Sequence, residues 1–125
     1  MPGASTSIVV NVPSKVIYDV VLDFEHYPKF LPDVKTAVID EKKGKTLVAS
    51  FEISVIKTIH YTLAFTTVPG KKISWSFVKG DLFKKNNGTW TFEEVKKGQT
   101  EATYTVDVDF GFFVPSMITN KLVGN

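Results

Sequence analysis

From residue 46 onward the chain keeps one rhythm almost to its end: apolar and polar side chains take turns. In TLVASFEISV (46–55), Leu47, Ala49, Phe51, Ile53 and Val55 alternate with Thr46, Val48, Ser50, Glu52 and Ser54. In KTIHYTLAFTTV (57–68), Ile59, Tyr61, Leu63 and Phe65 alternate with Thr58, His60, Thr62, Ala64 and Thr66. KKISWSFVK (71–79) sets Ile73, Trp75 and Phe77 against Lys72, Ser74 and Ser76, and TWTFEEV (89–95) gives Trp90 and Phe92. ATYTVDVDF (102–110) sets Ala102, Tyr104, Val106, Val108 and Phe110 against Thr103, Thr105, Asp107 and Asp109. A period of two means strands with one buried and one wet face, which is the pattern of antiparallel sheets. The connectors EKKGK, VPGKK, KNNG and VKKGQ carry the Gly, Pro, Asn and Lys of hairpin turns.

The first third of the chain reads differently. TSIVVNV (6–12) and VKTAVIDE (34–41) look like two further strands. Between them, PSKVIYDVVLDF predicts a helix of about three turns, with Pro13 at its start. Val16, Val20 and Phe24 would form its apolar stripe, widened by Ile17 and Val21. EHYPKFLPDV then breaks the helix, because Pro28 and Pro32 suit neither a helix interior nor a central strand. Pro115 and Ser116 look like the start of a C-terminal helix. The order predicts an α+β fold: a curved antiparallel sheet of six to seven strands with helices against its apolar face. With 125 residues and no internal repeat, one domain over 1–125 is expected.

The inward set Phe51, Tyr61, Phe65, Trp75, Phe77, Trp90, Phe92, Tyr104 and Phe110 is a broad aromatic face that must be covered. The first helix is too short for that, and about ten residues past Pro115 give only about 15 Å of helix. The expected C-terminal helix therefore looks truncated. A lost tail or a second copy of the chain, as in a homodimer, would complete the cover.

Composition narrows the chemistry. The net charge is +2, and all 15 basic residues are lysines. Arginine dominates bidentate base and phosphate contacts, so a sequence-specific DNA reader is not expected. There is no cysteine, which excludes disulfides, zinc–thiolate sites and a thiol nucleophile. No apolar run reaches the roughly 20 residues of a membrane span. MPGASTS lacks a basic start and an apolar signal core, so a cytoplasmic protein, at most peripheral to a membrane, is expected.

Two stretches carry a family resemblance. VPSKVIYDVVLDFEHYPKFLP (12–32) resembles the first helix of the START-like (SRPBCC) superfamily, which runs into Tyr-Pro-x-Phe-Leu-Pro. VKGDLFKKNNGTWTFEEV (78–95) resembles its Gly-x-Phe-Lys hairpin leading to Gly-x-Trp-x-Phe. Within that superfamily the chain is similar to the coenzyme Q-binding and polyketide cyclase/dehydrase-like branch, which includes a bacterial ribosome-association toxin. Asp33 and Val34 stand where members often carry an aromatic residue or glycine followed by cysteine. The resemblance implies a helix-grip fold, in which the sheet wraps a C-terminal helix around a cavity. It also implies binding of a quinone, isoprenoid or other lipid. Tyr27, Phe30 and Leu31 would then form a flap at the cavity mouth, and the inward aromatics would line it, with Tyr61, Trp75, Trp90 and Tyr104 orienting the guest. Association with the ribosome or the respiratory chain is the corresponding partner expectation.

Reactive constellations are sparse. His26 and His60 fall on different elements, whereas a metal site needs clustered ligands. Ser50, Ser54, Ser74 and Ser76 alternate outward, so no nucleophilic triad can be read. Asp107 and Asp109 share one strand face and are expected to meet water. The glycines around DLFKKNN lack phosphate-loop spacing. No catalytic residue, metal or cofactor is therefore assigned. The lysines at 42, 43 and 45, at 71 and 72, at 84 and 85, and at 96 and 97 sit in expected turns. Where such turns share one end of the sheet they make a basic rim suited to anionic surfaces or RNA phosphates.

Overall fold

A computed structural model describes residues 3–54, 57–81 and 83–110, with the side chain of Phe110 outside the described set. The expected C-terminal helix lies outside the described residues. Seven strands form one antiparallel sheet: β1 (Gly3–Val10), β2 (Val34–Lys43), β3 (Thr46–Ser54), β4 (Thr58–Val68), β5 (Lys72–Gly80), β6 (Phe83–Lys96) and β7 (Gln99–Phe110). Their order across the sheet is β1-β7-β6-β5-β4-β3-β2. β2 to β7 follow one another as a meander, and β1 returns to pair with β7. The helical pieces, α1 (Ser14–Leu22), a short 3-10 turn (Phe24–His26) and α2 (Tyr27–Phe30), lie between β1 and β2. This is the α+β layout that the alternation predicts, and its sheet is consistent with the helix-grip fold that the resemblance implies.

The alternation works as expected on the concave face. Leu47, Ala49, Phe51, Ile53, Leu63, Phe65, Ile73, Phe92, Ala102, Val106 and Val108 are all buried. The convex face carries short hydroxyl side chains, and the register lines them up: Ser5 faces Thr105, Thr105 faces Thr89, Thr89 faces Ser74, and Ser74 faces Thr66. Thr62, expected to be wet, is instead buried, with its hydroxyl paired to Ser50 Oγ at 2.8 Å.

Three connectors turn as predicted, around Gly44, Gly70 and Gly98. KNNG does not: Lys85, Asn86, Asn87 and Gly88 run inside β6. The reason is the partner strand. Gly88 faces Trp75, and a Cβ on Gly88 would lie 2.3 Å from the indole ring and 2.5 Å from the Thr105 carbonyl oxygen. The glycine is there to admit a neighbour's ring into the sheet surface, not to reverse the chain. Lys84 and Lys85 consequently leave the expected turn and sit on a strand.

The helix stripe also needs correction. Tyr18 and Val21 are the buried residues of α1, while Val16 and Val20 are 46% and 50% exposed. Tyr18 brings a larger apolar body than either valine, and its ring meets Phe92 edge-on at 6.0 Å. Burying the bigger ring turns the helix by part of a turn relative to the valine stripe. No side chain of Pro13 caps this helix; the Ser14 N–H instead donates to Glu94 on β6 at 3.2 Å. A carboxylate at a helix N-terminus satisfies a free donor and complements the dipole.

Candidate functional site

Where the chain leaves α1, Phe24 drives inward. It is 3% exposed, and its ring lies 4.5 Å from Phe65 and 5.6 Å from Phe51. Tyr27 follows and packs edge-on against Phe24 at 5.5 Å. Its hydroxyl donates to the Val21 carbonyl, one of the acceptors left free at the end of α1. These two rings wedge the helical segment above the concave face rather than onto it. Beneath and beside them a cavity of about 420 Å³ remains, within the range of small-molecule sites.

The walls come from several elements. Tyr27, Leu31 and Val34 contribute from the segment after α1, Phe51 and Ile53 from β3, and Tyr61, Leu63 and Phe65 from β4. Trp75, Trp90 and Tyr104 form the far wall. There, Trp75 stacks on Tyr104 at 5.7 Å and 26°, and Trp90 lies 5.0 Å from Tyr104. Asn86 is the one buried amide of the lining; its Oδ1 accepts the Trp75 indole N–H at 3.1 Å. Asp33 is the single carboxylate, and no lysine or histidine lines the cavity among the described residues. Burial raises the phenol pKa values of Tyr27, Tyr61 and Tyr104, so all three are neutral at physiological pH.

The expected site residues divide into groups. Tyr27, Leu31, Phe51, Tyr61, Phe65, Trp75, Trp90 and Tyr104 come together around the cavity. Phe30 does not join them: it is 54% exposed, with its ring against Tyr27. With Tyr27 already filling the inner position, the short α2 turns Phe30 outward. Phe92 is buried under Tyr18, beneath α1, and Phe77 packs beside Phe83 at 6.2 Å; neither lines the cavity. Phe110 belongs to β7, but its side chain lies outside the described residues.

Sequence reasoning missed Asn86, Phe83 and Phe24 as lining groups. Asn86 had a readable signal, since it shares parity with Trp90 and Phe92. Phe83 did not, because a register irregularity between Phe83 and Lys85 breaks the alternation.

The histidines stand apart. His26 Nδ1 lies 2.7 Å from Asp23, and His60 lies on the surface between Glu52 at 3.6 Å and Asp81 at 3.5 Å. Among the described residues no group of three or more His, Asp and Glu side chains could hold a metal ion. Among them, too, no helix is long and apolar enough to cross a membrane.

Residues 10–125 match the family model described as polyketide cyclase/dehydrase and lipid transport. The chain belongs to this family. Among relatives, the ribosome association toxin RatA of Pseudomonas aeruginosa is 27% identical over 112 residues, covering 87% of this chain and 74% of that one. A START superfamily protein from Mycobacterium smegmatis superposes with a TM-score of 0.83 at 20% identity, over 98% of this chain and 86% of that one. The Zhui aromatase/cyclase of a Streptomyces species gives 0.81 at 15% identity, over 92% and 72%. At such identities the two structures establish the START-like fold of this family member and nothing finer.

Proposed function

We propose that this family member binds a neutral apolar small molecule, such as a quinone, an isoprenoid or another lipid, in the cavity above its concave face. The observation that carries the reading is the 420 Å³ space walled by aromatic rings with one carboxylate at its edge. Affinity comes from apolar surface removed from water, at roughly 25 cal/mol per Å² before the costs of association. Native mass spectrometry of the protein purified from its own host tests it. A co-purifying lipid, displaced when quinone is added, is the expected result. No bound molecule, together with no binding of ubiquinone or farnesol by equilibrium dialysis, would reject it.

A second reading has its own observation. Because β2 to β7 form a meander, the turns at Gly44, Gly70 and Gly98 share one end of the sheet. That end gathers exposed Lys42, Lys43, Lys45, Lys71, Lys72, Lys96 and Lys97, interleaved with Glu41, Glu93 and Glu94. The cavity lining includes Leu31, Asp33 and Phe83, which lie towards the other end. Together with the likeness to RatA, this favours contact with ribosomal RNA through the basic end. Co-sedimentation with ribosomes that weakens steeply with salt is then expected. Sedimentation indifferent to salt, or to Lys→Gln changes at these turns, would rule it out. An enzyme of cyclase/dehydrase type ranks last, because among the described residues the lining offers neutral phenols, an amide and one carboxylate, with no lysine or histidine beside it to complete an acid–base pair.

A further inference from the structure

Three polar side chains in the cavity wall, Asn86, Tyr61 and Tyr104, point to one kind of guest. The Trp75 indole nitrogen can only donate, so the atom of Asn86 that faces it at 3.1 Å is the carbonyl oxygen. That leaves both hydrogens of Asn86 Nδ2 without a partner among the described residues. Asn86 is only 7% exposed and lines the cavity, and among the described residues no fully enclosed side-chain nitrogen or oxygen lacks a partner, so this amide nitrogen is not sealed off. The hydroxyls of Tyr61 and Tyr104 make no hydrogen bond among the described residues either, and both side chains line the same space. Burial keeps both phenols protonated, so each offers an O–H. Among the described residues the cavity thus has a largely apolar wall, three side chains with unpaired N–H or O–H donors, one carboxylate at Asp33, and no lysine or histidine.

We infer that the cavity selects neutral molecules bearing a carbonyl-type acceptor, and that Asn86, Tyr61 and Tyr104 are the donors that read it. This rests on the proposed binding function and narrows it to a ligand class. A carbonyl oxygen has two lone pairs and can take two donors at once. A pure hydrocarbon leaves the donors buried and unpaired, which a binding site penalises. A carboxylate finds donors but brings a charge that no lysine or histidine among the described lining residues balances.

The test compares three probes of one ring size by equilibrium dialysis: menadione, methylnaphthalene and naphthoate. The chain has no cysteine for menadione to arylate, so its binding is reversible. Menadione is expected to bind about tenfold tighter than methylnaphthalene, and naphthoate weakest of the three. Asn86→Leu, Tyr61→Phe and Tyr104→Phe are each expected to weaken menadione about fivefold while binding methylnaphthalene as tightly as wild type or tighter, which also shows the cavity intact. Equal affinity for menadione and methylnaphthalene, a ratio untouched by all three variants, or a preference for naphthoate would overturn the inference and leave lipid binding standing. Failure of menadione and methylnaphthalene alike would overturn the binding function with it. Should Asn86→Leu not fold, the two Tyr→Phe variants and the wild-type ratio decide the matter.

Discussion

Gly88→Ala attacks the point where the cavity wall is fitted to the sheet. The added methyl would sit 2.3 Å from Cζ2 of Trp75, against the roughly 3.5–4 Å at which carbon atoms rest, so the ring must retreat by about 1 Å or more. It would also sit 2.5 Å from the Thr105 carbonyl oxygen, which belongs to a paired backbone and yields less. Overpacking of this kind costs about 1–3 kcal/mol. Moving the indole also gives up the Trp75–Asn86 hydrogen bond, about 1 kcal/mol, and part of the Trp75–Tyr104 stacking, about 0.5–1.5 kcal/mol. Against this, replacing glycine restricts the unfolded chain and returns at most about 1 kcal/mol. The net expectation is a loss of about 1.5–5.5 kcal/mol. Urea unfolding followed by tryptophan fluorescence measures it, with an unchanged slope showing that stability alone has moved. Trp75→Phe in the same chain removes the ring atoms in conflict but not the carbonyl. The double variant should therefore recover only part of the loss, with a coupling of about 1–2 kcal/mol. A Gly88→Ala protein within about 0.5 kcal/mol of wild type, or complete rescue by Trp75→Phe, would refute the fitted-ring account.

Two further outcomes are expected. Phe24→Ala should lose about 3–5 kcal/mol, because a ring with Phe51, Phe65 and Tyr27 around it is deleted, whereas exposed Phe30→Ala should stay within about 0.5 kcal/mol in the same urea assay. Tyr27, Tyr61 and Tyr104 have raised folded-state pKa values, so above about pH 10 the unfolded chain loses phenolic protons that the folded chain keeps. Their contribution is therefore full below pH 10 and is lost as pH rises beyond it. Ultraviolet titration should show these phenolates appearing only with unfolding, and Tyr61→Phe should shift the alkaline transition upward; smooth ionisation of every tyrosine in the folded protein would contradict this.

The sequence alone determined the sheet, its wet and apolar faces, and the broken helix after α1. Period-two alternation and proline act locally, through backbone geometry that any reader of the chain can apply. Tertiary structure decided which aromatic residues meet. Phe92 and Trp90 share a parity and a strand face, yet one is sealed under Tyr18 and the other borders a cavity. That difference lies in where α1 lands, and a nine-residue helix can cover only one end of the sheet. The same holds for Asn86: its dipeptide reads as a turn until β5 is laid beside it and Trp75 requires a glycine opposite and an acceptor two residues away.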